Sequence, residues 1–377
     1  MTRTPSTLTA LIRAGFSQLS VAQAGLAEGG WEPDMFAPSA HPDASLAAVL
    51  SLRSAHPVEW AKIQRSATAT KRLVLLTGVS TGLTDFLLRR PEQWSLLSKD
   101  LRSLPQAAGW TDTFRDATSG CDTAAAVEAL RVAYRRGLCQ VALFDAQSSQ
   151  PLQVLPLVAA CLADMAGAAL EVALEIARRD HGLEVSAVPL TIMGMGKAGA
   201  RELNYLSDVD VIYVTDTPAG ADAEKVLQGA TILARDTARH LMEFGKEPGL
   251  WEVDANLRPE GKDGALVRTL DSHLAYYGRW ASDWEFQALL KARPLAGDPD
   301  IGARYLQALR PLVFSASTRP GFVEQVQRMR ERVTNNIPPD QLHHQLKLGP
   351  GGLRDIEFTI QLLQLVHGAA DESIRQR

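Results

Sequence analysis

From Leu8 to about Asp180, apolar residues recur at intervals of three and four, as in Leu8, Leu11, Ile12, Phe16 and Leu19, and again in Val127, Leu130, Tyr134, Leu138 and Val141. That spacing places one apolar stripe along a 3.6-residue helix, so the first half of the chain is expected to be a bundle of helices. Proline and glycine interrupt it at Gly29 to Pro42, at Pro57, at Pro91 and at Ser148 to Pro151, giving connections of ordinary length. After His181 and Gly182 the pattern changes. Val185 to Met193 and Val209 to Thr215 are short runs rich in β-branched residues and bounded by turn formers, as strands are. Ala221 to Phe244 returns to helical spacing, Leu250 to Asp254 reads as a further strand, and Ala265 to Val267 as a short one after the Gly261 to Gly264 turn. Beyond Pro294 helices resume, with Phe322 to Arg332 and Leu353 to Val366 separated by turn-rich Asn335 to Asp340 and by the Gly349 to Gly352 loop. The expected class is α+β, with a helical region over 1–183, a mixed-sheet module over 184–296 and a helical domain over 297–377.

Length and composition narrow this picture without changing it. A chain of 377 residues is long for one core and implies two or three domains. A hydrophobic fraction of 46% with 22% charged residues excludes a disordered or fibrous chain. The net charge of -4 removes any global positive field, so nucleic acid is not an expected partner. Cys121, Cys139 and Cys161 form no Cys-x-x-Cys pair and read as reduced thiols in the cytoplasm. Met1 to Leu11 carries no secretory signal pattern. The most apolar segment, Leu152 to Ile176, is interrupted by Asp164, Glu171 and Glu175, which suits a soluble core helix better than a membrane span.

The candidate chemistry lies between Thr191 and Val214. Gly194, Gly196 and Gly199 match the Gly-x-Gly-x-x-Gly dinucleotide fingerprint after a strand. In that fold the glycines open a crossover helix of a dozen or more residues, whereas only the eight residues Ala200 to Ser207 separate Gly199 from Asp208. A phosphate-binding Walker loop fails too, because Ala198 follows Lys197 where a hydroxyl should help hold magnesium. Asp208 and Asp210, by contrast, project to one face of a strand. Two ionised carboxylates so close repel strongly unless a cation lies between them, and hard oxygen donors select Mg2+. Val209, Val211, Ile212 and Val214 are expected to bury the opposite face, and an acidic turn capping a strand end is the plainer alternative. A third carboxylate is expected from the next strand, where Asp254 is preferred to the longer Glu252. Arg258 could bind a phosphate or pair with Glu260, and Lys197 could face a nucleotide or only solvent.

These residues bring out a resemblance. Gly194-Met-Gly-Lys to Ser207-Asp-Val-Asp210, Val253-Asp-Ala-Asn-Leu-Arg-Pro259, Trp284-Glu-Phe-Gln-Ala-Leu-Leu-Lys-Ala-Arg293 and Lys347-Leu-Gly-Pro-Gly-Gly-Leu-Arg-Asp-Ile-Glu-Phe358 resemble, in order, the bifunctional glutamine synthetase adenylyltransferase/adenylyl-removing enzymes of the nucleotidyltransferase superfamily. The resemblance implies a nucleotidyltransferase-fold sheet with Asp208, Asp210 and Asp254 as catalytic metal ligands for Mg2+. It further implies nucleotide or phosphate contacts from Gly194, Gly196, Lys197, Ser207 and Arg258. Such enzymes carry two catalytic units. The long helical lead and the Arg354-Asp-Ile-Glu357 form of the last motif resemble the amino-terminal unit, which removes AMP from glutamine synthetase by phosphorolysis. One unit is present, so a fragment is expected, with glutamine synthetase as protein substrate, ATP or ADP and phosphate as ligands, a PII signalling protein as a further partner to test, and neither nucleic acid nor a membrane as partner. Asn256 departs from the arginine that many relatives carry there. ATP-dependent adenylylation by the same fold, or a silent module docking glutamine synthetase, are the alternatives.

Overall fold

The computed structural model describes residues 7–375, without the side chains of Val333 and His343, so Met1 to Ser6 of the leader considered above lie outside the described residues. Backbone contacts divide the chain into two units, one of residues 1–109 and 132–162, the other of residues 110–131 and 163–377. The first is helical. Its core gathers Leu11, Phe36, Leu52, Leu73, Phe86, Trp94 and Leu143, all buried. Ser66 and Ser80 start two of its helices by accepting hydrogen bonds from the amides of Ala69 and Leu83, which satisfies donors that the first turn leaves unpaired.

The second unit holds a five-stranded sheet of β1 (Leu190–Gly194), β2 (Val209–Thr215), β3 (Val253–Asp254), β4 (Val267–Thr269) and β5 (Arg293–Gly297). β1 pairs antiparallel with both β2 and β5, while β3 and β4 run parallel to β2 along its other edge. The antiparallel β1–β2 pair explains the short connection after the glycines: no crossover is needed, and the dinucleotide topology is absent. β5 was not expected from the sequence, because Arg293-Pro-Leu-Ala-Gly297 has neither alternation nor β-branched residues. Pairing with the edge of β1 makes it a strand.

Eight helices serve the sheet: α1 (Pro151–His181), α2 (Gly196–Ala200), α3 (Ala223–Met242), α4 (Leu270–Arg279), α5 (Asp283–Leu289), α6 (Pro299–Ser315), α7 (Phe322–Asn335) and α8 (Leu353–His367). α1 is long and apolar enough to cross a membrane, but 78% of its apolar window is buried within the protein, as in a core helix. One core cluster joins Met193, Ile212 and Val214 of the sheet to Tyr277, Phe286, Ile301, Tyr305, Phe322 and Leu365 of α4 to α8. Ile212 and Val214 therefore share the face of Asp210 instead of lying opposite it, and both faces of β2 are buried. The helices after residue 296 thus share a core with the sheet. The three-region partition at 183/184 and 296/297 stays a proposal about autonomy, which limited proteolysis tests.

His273 of α4 is 1% exposed within this core. Burial pushes its imidazole down to about 4, with the Arg268 guanidinium adding to the effect. The folded chain thus holds the ring neutral while the unfolded chain, at about 6.5, takes up a proton first. The stability linked to His273 is complete above pH 6.5 and is lost as pH falls from there through 4, by about 3 kcal/mol. Urea titrations across that window should give a flatter pH dependence for His273→Gln than for the unmutated chain, and equal slopes would refute the assignment.

Candidate active site

Asp208 closes the loop entering β2 and Asp210 is the second residue of that strand. The parallel register sets Asp210 beside Asp254 of β3, on the same face. Carboxylate oxygens of Asp208, Asp210 and Asp254 all lie within 4.8 Å of one another, the first exposed and the other two half-buried. Glu252 stays outside the group and contributes only its carbonyl, which accepts from the Val209 amide at 2.9 Å. Burial pushes Asp210 up to about 6, and the neighbouring Asp208 and Asp254 charges push the same way against Lys197 and Arg354. A second group, Asp180, His181 and Asp236, is equally tight, but there Asp236 already pairs with His181 at 2.6 Å and with Arg239 at 2.9 Å.

The glycine turn abuts this cluster. Gly196 has φ +49°, and a Cβ there would fall 2.5 Å from Asp210 Oδ2, so any side chain would strain the backbone and strike the carboxylate. Gly199 faces away, where a Cβ would lie 1.9 Å from the Lys291 carbonyl oxygen. Gly194, in β1, packs against Leu295. Lys197 donates to Asn204 Oδ1 at 3.0 Å, and Ser207 Oγ donates to Asp208 Oδ1 at 3.3 Å. Arg258 differs from expectation. Its Nε donates to Gly264 O, and its terminal nitrogens donate to Ala255 O and Lys262 O at 2.8–3.1 Å. All three nitrogens are thus committed to shaping the loop after Asp254, and Glu260 pairs with Arg268 instead.

The residues that hold the turn were not singled out from the sequence. Asp164 of α1, buried, takes a bidentate pair from Arg201 at 2.5 and 3.1 Å. Arg293 lies 3.8 Å from the same carboxylate and donates to the carbonyls of Ala198 and Gly199, closing the C-terminus of α2. Arg201 itself has φ +61°, the left-handed cap of that helix. Lys291 bridges Glu202 at 3.0 Å and Glu357 of α8 at 2.7 Å. Burial alone would lower its ammonium, but the two carboxylates outweigh that and hold it above its usual range. A signal existed: a lone aspartate inside an apolar helix requires a partner, and α1 offers Asp164 where nothing local neutralises it.

An antiparallel strand pair joined by a glycine turn, with a carboxylate triad clustered at the start of the second strand and on its parallel neighbour, places the second unit among the α+β nucleotidyltransferase-type folds. Comparison with known proteins agrees. A family model described as glutamate-ammonia ligase adenylyltransferase matches residues 70–308, and one described as GlnD PII-uridylyltransferase matches residues 322–375. A protein of Leifsonia xyli subsp. xyli named bifunctional glutamine synthetase adenylyltransferase/adenylyl-removing enzyme is 51% identical over the whole chain. Proteins of the same name from Streptomyces coelicolor and Mycolicibacterium smegmatis are 45% and 44% identical over 99% and 94% of it. The chain belongs to the glutamate-ammonia ligase adenylyltransferase family. It spans 36–40% of the length of these three relatives.

Two predictions follow from the geometry. Because a proton on Asp210 competes with any cation, divalent-ion affinity should fall by up to tenfold per pH unit below about 6, and Asp208→Asn should move that break to lower pH. Calorimetric titration with Mg2+ or Mn2+ from pH 5 to 8 measures it, and a flat profile contradicts it. Gly196→Ala should weaken the same affinity at least about tenfold while leaving the far-ultraviolet spectrum unchanged, since the added methyl meets Asp210 and not the core.

Proposed function

We propose that the chain is an adenylyl-removing unit acting on glutamine synthetase. The observation that carries this reading is the convergence of Asp208, Asp210 and Asp254 within 4.8 Å beside a glycine turn. The donor set fits Mg2+: three hard carboxylates, one of them, Asp210, with its pKa raised by burial and then by its two neighbours' charges. Bound by these three side chains, Mg2+ would neutralise charge on the reacting oxygens in an in-line displacement.

The residues themselves orient and shield. Gly196 leaves room for a phosphate group to approach the carboxylates, and Lys197 and Ser207 stand on the loop that such a group would meet. Inorganic phosphate attacks the phosphorus of tyrosyl-AMP. A new P–O bond forms, the bond to the tyrosyl oxygen breaks with its electron pair, and that oxygen takes a proton from solvent. ADP and unmodified glutamine synthetase result. No protein nucleophile takes part. The similarity of residues 322–375 to a PII-uridylyltransferase model supports a PII-type protein as regulator, and the free cysteines suit a reducing cytoplasm.

The test supplies AMP-modified glutamine synthetase and Mg2+ to the chain, with and without phosphate, and identifies the nucleotide released. ADP that depends on phosphate is expected. In a parallel reaction with unmodified glutamine synthetase and ATP, pyrophosphate and AMP incorporation would instead establish adenylylation, and free AMP from the modified enzyme would establish hydrolysis. Asp208→Asn, Asp210→Asn and Asp254→Asn should each lower turnover by about a hundredfold or more at unchanged thermal stability, whereas Glu252→Gln should retain most of it.

A further inference from the structure

The start of α8 carries three charged residues, and the structure gives them different work. Asp355 accepts the Gly351 amide at 2.6 Å and pairs with Arg330, so it anchors the helix start to the preceding loop and to α7. Glu357 receives Lys291 at 2.7 Å and the Gln361 amide at 3.3 Å. Arg354 remains. Its guanidinium donates no hydrogen bond among the described residues, its nearest carboxylate is Glu357 at 4.0 Å, and its Cζ lies 5.5 Å from the Phe358 ring. Its charge nonetheless acts on Asp210. A chain of contacts ties it to the glycine turn: Arg354 to Glu357, Glu357 to Lys291, Lys291 to Glu202, and the Glu202 amide to the Lys197 carbonyl at 2.8 Å. Arg258, by comparison, has every nitrogen committed to backbone carbonyls.

We infer that Arg354 is a phosphate-contacting residue of the carboxylate site, and that Lys291 is the positioning residue that holds it there by joining Glu357 of α8 to Glu202 of the glycine turn. A guanidinium half-exposed on a helix start, near one ring and held only by a 4.0 Å ion pair with Glu357, keeps most of its planar fork free for two phosphate oxygens. This rests on the proposed nucleotide chemistry of the same site and adds the cation that the chain's own loop arginine does not supply.

The experiment measures Mg·ADP affinity of the whole chain by calorimetry, with thermal melts as control. Arg354→Ala should weaken binding tenfold to a hundredfold with the melting temperature unchanged, and added guanidinium should restore part of it. Arg354→Lys should fall between, because a point charge lacks the fork. Lys291→Met should weaken binding in the same direction without rescue by guanidinium, and Lys291→Arg should recover it. Mg·ADP affinity of Arg354→Ala within twofold of the unmutated chain, while that chain still releases ADP in a phosphate-dependent way, would overturn the inference and leave the proposed function standing. Full affinity in Lys291→Met would overturn the positioning role. An unmutated chain that neither binds Mg·ADP nor forms ADP would sink the proposed function and this inference with it.

Discussion

Asp208 just before a strand, Asp210 on it and Asp254 on its parallel neighbour put three carboxylates at one partly buried sheet edge. In surroundings less polar than water such charges repel by several kcal/mol unless a proton or a cation offsets them. Much of the second unit can be understood from that constraint. The face that carries Asp210 also carries Ile212 and Val214, and helices α4 to α8 cover those two, so Asp210 stands beside a buried core. Burial is accordingly the first cause of the raised Asp210 pKa, ahead of the neighbouring carboxylates. A site built this way is rigid and short of positive charge, which is the condition for taking up a cation without rearrangement.

The cationic side chains are divided between holding the backbone and meeting a ligand. Arg201, Arg293 and Arg258 direct their donors to carbonyls or to buried Asp164 and fix the two loops on either side of the carboxylates. Such pairs contribute little net stability when both partners are counted, because each ion is desolvated. Their value lies in geometry: with Arg293 on the carbonyls of Ala198 and Gly199, the five-residue helix α2 ends at a fixed point, and Gly196 at its start is held against Asp210.

Legibility from sequence followed the range of the interactions. β2 was readable to the residue, since Val209 to Thr215 is a β-branched run with its own boundaries, whereas Asp208, read as sharing a strand with Asp210, lies one residue before it. Asp254 was readable because a metal cluster needs another carboxylate and only Glu252 competed locally. What failed depends on partners far along the chain. β5 is a strand because β1 is its neighbour about a hundred residues earlier, and Arg258 donates to three carbonyls that only the folded loop presents. The face of Ile212 and Val214 was misjudged for a related reason: alternation tells which residues share a side, but not that both sides are covered.

The glycine turn shows why one short motif fits two folds and how topology separates them. Glycines after a strand permit close approach of a phosphate in either fold. In a parallel crossover the following helix must be long enough to return to the start of the sheet, and its amides face the ligand. Here β2 returns antiparallel, so a helix of five residues suffices, and the turn lies against the carboxylates of the next strand. Under the proposed function, the same glycines would bring a ligand's phosphates to acidic side chains, not to a helix dipole. Such a juxtaposition would call for an intervening cation, and the proposed chemistry would then use the turn and the triad together.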